Sequence, residues 1–315
     1  MSTTNSEFKT RLSLNKNVLY FLMLLPALIW FMLLSYLPML GLVLAFKQFH
    51  FYRGGFFHSL YKSKWVGFEN FTYLFSSNEA WIITRNTLGY NILFIIIGTA
   101  LSVLLAIGFS RMLNKKLTKL LQTLIFCPYF ITWVVIGYIV MSFLSYEHGT
   151  VNGILKFFNM TPVNWYSDRG IWPYVLVTVN VWQTIGYTSV IYLASILGIS
   201  QQLYEAAEIE GASKWQQVKF ITIPGIKPII IVMVMISVGQ IFQGNFGLFW
   251  FAPMESGALL PVTQVINTYT YRALMYTSNV GMSSAACLYQ SVMGFILVLI
   301  FNRTLQKVDP ENAMF

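Results

Sequence analysis

The sequence predicts an all-α membrane protein with six transmembrane helices, and three observations predict it. Only 10% of the 315 residues are charged, against roughly 25% in an average soluble domain. Apolar types make up 56% and aromatics 17%. Six long segments contain no Asp, Glu, Lys or Arg: 18–46, 86–110, 120–146, 171–202, 228–254 and 281–302. Each is long enough for a hydrocarbon core, which takes about 20 apolar residues to cross. Lipid satisfies no backbone group, and no barrel-like alternation over ten residues is present, so helices are expected. The composition excludes a soluble enzyme, a disordered chain and a nucleic-acid module. A net charge of +9 then becomes a question of membrane sidedness.

The first span, 18–46, is too long for a signal-peptide core and is followed by no small-residue cleavage site; it is expected to remain in the protein. Pro26 and Pro38 should kink or bound it. The loop 47–82 carries twelve aromatics, among them Phe51, Tyr52, Phe56, Phe57, Trp65 and Trp81. They suit an interfacial aromatic belt, or docking of an extracytoplasmic protein. In the second span Gly98, Ser102, Ala106 and Ser110 recur every four residues. Small residues so spaced let helix backbones approach, so a helix–helix seam is expected. The third span runs over 120–146 as one helix. The fourth carries Asn180, Trp182, Gln183, Thr184 and Tyr187; the fifth carries Gln240, Gln243 and Asn245 with Phe242 and Phe246 between; the sixth carries Tyr289 and Gln290.

Loop charges set the orientation. With the amino terminus inside, the segments 1–17 and 303–315 are cytoplasmic and 18–302 is the membrane domain. The inner segments then hold twelve Lys or Arg and the outer ones eight. The short loop from Arg111 to Lys119 has four positives and no acid, the strongest vote for both termini inside a cell membrane.

Chemistry motifs are absent. The chain has no Gly-Lys pair and hence no phosphate loop, no H-E-x-x-H and no G-x-S-x-G. No catalytic residue, metal site or bound cofactor is therefore expected. Cys127 and Cys287 lie in apolar stretches with packing roles expected; His50, His58 and His148 fall in loops. Proton- and ion-coupled carriers place ionisable groups at membrane depth, and these spans contain none. Energy for uphill transport would come from another subunit.

The stretch 200–227 is the most polar inner connection. Ser200 is an N-cap candidate, 201–210 a short helix, Gly211 its terminator, and 212–223 a second short helix. Pro224 and Pro228 should mark the turn into the fifth span. Ala206 and Ala207 give a low face that a partner groove could approach, flanked by Glu205, Glu208 and Glu210. Glu205-Ala206-Ala207, Gly211 four residues on, then Ile221-x-Ile223-Pro224 resembles the EAA motif of ABC-importer permeases at full spacing. Ile223 stands where Leu is commoner, and Glu210 where Asp is commoner. Val66-Gly67-Phe68-Glu69-Asn70-Phe71 resembles the V-G-x-x-N-F stretch of sugar-transporter permeases. The segments 263–272 and 289–307 resemble the LplB-like branch, associated with uptake of oligosaccharides and polysaccharide fragments.

That resemblance implies a type I ABC-importer permease (MetI-like) fold with a cytoplasmic coupling helix in the loop 200–227. It implies coupling to ATPases through Glu205, Ala206, Ala207, Glu208, Gly211, Ala212, Ile221 and Pro224. The implied partners are a second permease, two ATP-binding cassette subunits that bind the ATP and Mg, and an extracytoplasmic solute-binding protein. A neutral sugar needs amides and aromatic faces without net charge. The candidates are Asn180, Trp182, Gln183, Tyr187, Gln240, Gln243, Asn245 and Tyr289. Hydrogen bonding between helices is the alternative role for each. In resembling sugar permeases an Asn-x-Trp pattern with a Tyr shortly after precedes the EAA loop, as Asn180-x-Trp182 and Tyr187 do here. The function expected is the permease subunit of an ATP-driven carbohydrate importer. A permease for another solute, or a secondary transporter, is the alternative.

Overall fold

The computed structural model describes residues 16–76 and 78–308. Nearly all of the expected segment 1–17, and much of the tail 303–315, lies outside the described residues. The first span begins as α1 (Lys16–Phe31), widens into a π-helical turn (Met32–Tyr36) and tightens into a 3-10 segment (Leu37–Phe46). Pro26 sits within α1 and Pro38 in the first turn of the 3-10 segment. The changes of pitch thus fall between the two prolines, and the helical path is not cut. Only Leu44 and Ala45 are buried in this span.

A two-stranded antiparallel ribbon departs from the all-helical expectation. It pairs β1 (Lys47–Gln48) with β2 (Lys64–Trp65) around α2 (Phe56–Lys62). Next, α3 (Glu69–Ser76) carries the buried Asn70, whose amide donates to the carbonyls of Ala45 at 2.9 Å and Lys47 at 3.1 Å. A Cβ on Gly281 would come within 2.7 Å of that amide. The V-G-F-E-N-F stretch therefore clamps the first span to the start of the last helix.

The second span, α4 (Glu79–Arg111), begins seven residues before the charge-free limit. Arg85 is helical, and its guanidinium is held by Asn86 Oδ1 and the Pro261 carbonyl. The expected single third span is broken. α5 (Lys115–Phe126) passes through a 3-10 turn (Cys127–Phe130) into α6 (Trp133–Leu144), with a bend of 101°. Pro128 removes one donor, and Ile131 and Thr132 are extended, so the helical ladder cannot continue.

After α7 (Thr150–Phe157) the loop is organised by one amide. Asn152, 1% exposed, donates to the carbonyls of Ser145, Tyr146 and Val163 and accepts from Val163 N and Trp165 Nε1. Asn152→Ala leaves these groups unpaired and should destabilise the chain by about 2–3 kcal/mol. A melting curve of the purified protein in detergent checks this; an unchanged midpoint would refute it.

The expected fourth span forms one helix, α8 (Trp172–Leu197), followed by α9 (Gln201–Ile209) and α10 (Lys214–Gln217). A π turn, Val218–Thr222, joins α10 to α11 (Ile223–Gly239), so that Lys214–Gly239 is one helix of 26 residues. The expected turn at Pro224 and Pro228 is absent. Pro224 lies in the first turn of α11, just after the wide turn, and Pro228 lies within it; the helix runs on through both. The expected fifth span to 254 instead ends at Gly239. Gln240–Asn245 is non-helical, with Gly244 at φ 62°, and Asn245 Oδ1 caps α12 (Phe246–Phe251) by accepting from Leu248 N. A 3-10 turn (Gly257–Leu259), α13 (Leu260–Thr263), α14 (Ile266–Met275) and α15 (Val280–Val308) complete the described chain.

Among the described residues, four helices are long and apolar enough to cross a membrane: Val18–Phe46, Glu79–Arg111, Lys214–Gly239 and Val280–Lys307. The bent pair makes a fifth if it counts as one span. α8 is long enough at 26 residues, but its polar side chains keep it out of this group.

α4 packs along α8, with the Ser102 and Ala106 part of the expected small-residue stripe buried. Ala106 is fully buried, and the buried Ser102 hydroxyl meets that of Thr188. One apolar cluster, containing Trp172, Leu176, Leu248 and Phe249, closes the end remote from the 200–227 loop; another, containing Ala106, Phe109, Tyr192, Leu193 and Ile226, closes the near end. Cys127 and Cys287 are free thiols exposed at the surface of the chain.

Candidate functional site

Two sites emerge, one at the 200–227 loop and one at mid-bundle. In the loop, Gly211 takes φ 80° as expected of a helix terminator. Its N–H donates to the Glu208 carbonyl at 3.0 Å, and Ala212 N–H donates to the Ala207 carbonyl at 2.8 Å. These two bonds form a Schellman cap on α9. Ser213 then starts α10 with a capping box to Gln216. Ser200 stands at the N-cap as expected, but its side chain makes no cap bond.

α9 has two distinct faces. On one, Ala206, Ala207, Ala212 and Ile221 line a shallow pocket of about 370 Å³ with Leu203, Glu210 and Phe220. Glu205 is exposed on α9, and Ile209 is 89% exposed. Gly211 and Pro224 are exposed and lie outside that pocket. On the other face, Glu208 bonds Lys214 and lies 3.4 Å from Gln217 Nε2. These two donors, Lys214 first, hold the Glu208 carboxyl below its ordinary range. The charged pair is therefore intact at neutral pH and is lost as pH falls through that lowered value. Buried Gln217 accepts from Arg111 Nη1 at 2.9 Å. The Arg111 guanidinium also lies over Tyr204, whose hydroxyl meets that of Thr222 at 3.0 Å. This network fastens α9 to the end of α4.

The second site is a cavity of about 410 Å³ walled by α4, α8 and α11. Asn91 and Thr99 on α4 line it, each twelve residues from an end of that helix. At 1.5 Å per residue the cavity lies about 18 Å from either end. From α8 come Asn180, Thr184, Thr188 and Tyr192, spaced by four and so on one face. Ser237, Gln240, Gln243, Gly244, Asn245 and Phe246 complete the wall where α11 unwinds. The lining contains no charged side chain. Among the described residues, the side-chain amides of Asn180, Gln240 and Gln243 make no hydrogen bond within the chain.

Four of the eight expected sugar residues thus meet in one cavity: Asn180, Gln240, Gln243 and Asn245. The other four lie outside its lining. Trp182 is 41% exposed. Gln183 is buried, with its amide donating to the Tyr129 carbonyl that the third-span break leaves open, at 3.3 Å. Tyr187 stacks on Tyr129 with ring centroids 4.6 Å apart. The Tyr289 hydroxyl meets that of Thr84 at 2.9 Å, with the ring against Phe75 and Phe242. Asn91, Thr99, Thr188 and Ser237 are cavity residues that the sequence reading did not single out. For Thr188 the four-residue period of Asn180, Thr184, Thr188 and Tyr192 was the available signal.

An uncharged polar cavity at mid-depth, with a capped short helix at one end, fits the family comparison. Residues 98–309 match the model of the binding-protein-dependent transport system inner membrane component family. The chain belongs to this family. As such an inner membrane component it is a multi-pass, non-enzymatic permease subunit. It is 29% identical over 292 residues to the polygalacturonan/rhamnogalacturonan transport system permease protein YteP of Bacillus subtilis, covering 93% of this chain and 89% of that one. It is 27% identical to Protein LplB of the same organism, covering 95% and 92%. Among solved structures, a bacterial ABC transporter involved in the import of the acidic polysaccharide alginate aligns with TM-score 0.84 and 30% identity, over 93% of this chain and 97% of that one. The MetI-like permease fold expected from the EAA resemblance is thus present. A second structure of the alginate transporter, in complex with its alginate pentasaccharide-bound periplasmic protein, aligns equally well at 29% identity.

Proposed function

We propose that the chain is the transmembrane permease subunit of an ATP-driven, binding-protein-dependent importer of oligosaccharides or polysaccharide fragments. The observation that carries this reading is the uncharged cavity with three unengaged amides. Amides left without partners at membrane depth are costly; hydroxyls of a sugar satisfy them, and Phe94 and Phe246 offer faces for its C–H surfaces. The relatives named for polygalacturonan and alginate support the substrate class.

In this reading the chain crosses the cell membrane six times with both termini inside, counting α8 and the bent α5–α6 pair as spans. The polar stripe of α8 is then explained by the cavity it lines. A second permease closes the remaining side of the cavity. Two ATPase subunits, carrying the ATP and Mg, grip the exposed face of α9 and its counterpart on the second permease. A solute-binding protein delivers the sugar at the opposite end. Closure of the ATPases rocks the helices as rigid bodies and exposes the cavity outward.

The test is uptake by the transporter reconstituted with its partners in vesicles. Labelled oligosaccharide should enter only with binding protein and ATP on opposite faces, and uptake should survive ionophores that collapse ion gradients. Uptake that follows an ion gradient and ignores ATP would overturn the proposal.

A further inference from the structure

The cavity continues into an aromatic ladder at the end of the bundle remote from α9. Phe246, part of the cavity wall, stacks on Trp250 with centroids 5.3 Å apart and planes 16° from parallel. Trp250 meets Tyr271 at 4.7 Å and Tyr276 at 6.5 Å, and Phe246 meets Tyr271 at 5.2 Å. Tyr271 is 37% exposed and Tyr276 65%. The ladder thus leads from the cavity wall to exposed rings at the surface of the chain.

Polar groups lie beside it. The Arg272 guanidinium lies 5.2 Å over the Trp250 ring, and among the described residues it makes no hydrogen bond or ion pair. Its Nη1 is buried without a partner. Glu255 accepts from the Tyr276 hydroxyl at 2.9 Å. Met254 and Glu255 both adopt left-handed backbone, at φ 48° and 52°, where side chains other than glycine are rare. Strain of this kind collects at ligand clamps. A lipid-facing aromatic belt explains the exposed rings, but not a guanidinium laid over one of them with a buried nitrogen that has no acceptor.

Aromatic faces beside a guanidinium donor and a carboxylate acceptor suit a sugar ring. Its C–H face packs on the aromatics, and its hydroxyls bridge the Arg272 fork and Glu255. The positive guanidinium stands near the carboxylates of Glu255 and Glu79. The set is therefore not an anion trap, and hydroxyls rather than a uronate carboxylate are the groups it fits. We propose that Phe246, Trp250, Tyr271 and Arg272 form a second saccharide subsite, which holds a further ring of the chain whose leading ring occupies the cavity. This rests on the reading of the cavity as a sugar site and extends it: the cargo spans several rings.

The experiment is uptake by the reconstituted transporter of reducing-end-labelled disaccharide and pentasaccharide, from both the oligogalacturonide and the cello-oligosaccharide series, below saturation. Trp250→Ala and Tyr271→Ala should lower pentasaccharide uptake about tenfold and leave disaccharide uptake unchanged. Trp250→Phe, which keeps a stacking face, should restore the longer chain. Arg272→Met should show the same length-dependent loss in both series. Equal loss at both lengths, no loss at either, or an alanine variant that no longer co-purifies with the second permease while Trp250→Phe does would overturn the subsite. A wild-type transporter that takes up no saccharide of either series would overturn the functional reading, and the subsite with it.

Discussion

Gly211→Pro is expected to abolish sugar uptake while leaving the protein inserted and folded. Gly211 holds φ 80°, whereas proline is locked near −65° and has no N–H to donate to the Glu208 carbonyl. Both parts of the cap on α9 are lost, and α10 leaves in a different direction. A Cβ at this position would meet nothing within 4 Å, so the penalty is purely one of backbone conformation. That predicts a graded series. Gly211→Ala costs about 1–2 kcal/mol for left-handed backbone and should slow uptake modestly. Gly211→Val should cost more, and Gly211→Pro should reduce uptake more than tenfold, or over about 1.4 kcal/mol in coupling. The measurements are ATP-dependent uptake and co-purification of the ATPase with each variant. Full uptake by the proline variant would remove α9 from any coupling role.

Gly98→Phe is expected to have an equally large effect by a different route. Gly98 lines the cavity, and a Cβ there would meet nothing within 4 Å. Because the position is helical and open, the larger side chain costs little stability and projects into about 410 Å³ of space. Uptake should fall more than about tenfold, which is 1.4 kcal/mol or more. Basal ATP hydrolysis by the assembled transporter should stay at its normal level, because α9 is untouched. Gly98→Ala serves as the control and should transport normally. Normal uptake by the phenylalanine variant would show that the cargo does not pass through this cavity.

These two residues were unequally legible in the sequence. Gly211 declared itself by a motif of fixed spacing and a conformational demand that glycine meets most cheaply. Gly98 was read as part of a packing stripe; Ser102 and Ala106 do pack on α8, but one turn earlier the same stripe opens onto the cavity. The apolar spans were visible because charge is scarce, yet charge-free limits say nothing about where a helix breaks. The third span breaks because Pro128 removes a donor and Thr132 is extended, and the fifth ends because Gly244 and the capping amide of Asn245 favour a turn. Among the sugar candidates, polarity alone does not reveal the direction a side chain faces. Asn180 and Gln183 are both buried amides on α8, three residues apart; one lines the cavity and the other closes the break at Tyr129. The period of four on α8 separates them, and residue type does not.

The unbroken helix from Lys214 to Gly239 has a mechanical consequence. Its 26 residues make a rod about 39 Å long at 1.5 Å per residue. One end begins at the foot of α9, and the other stops where Gln240 and Gln243 enter the cavity wall. A tilt of about 10° applied at the Lys214 end would swing the far end by roughly 7 Å on that length, more than a full helical turn. The rod runs without a break through the π turn at Val218–Thr222 and past both Pro224 and Pro228. The chain thus carries a lever whose long arm ends in the amides that would hold the sugar.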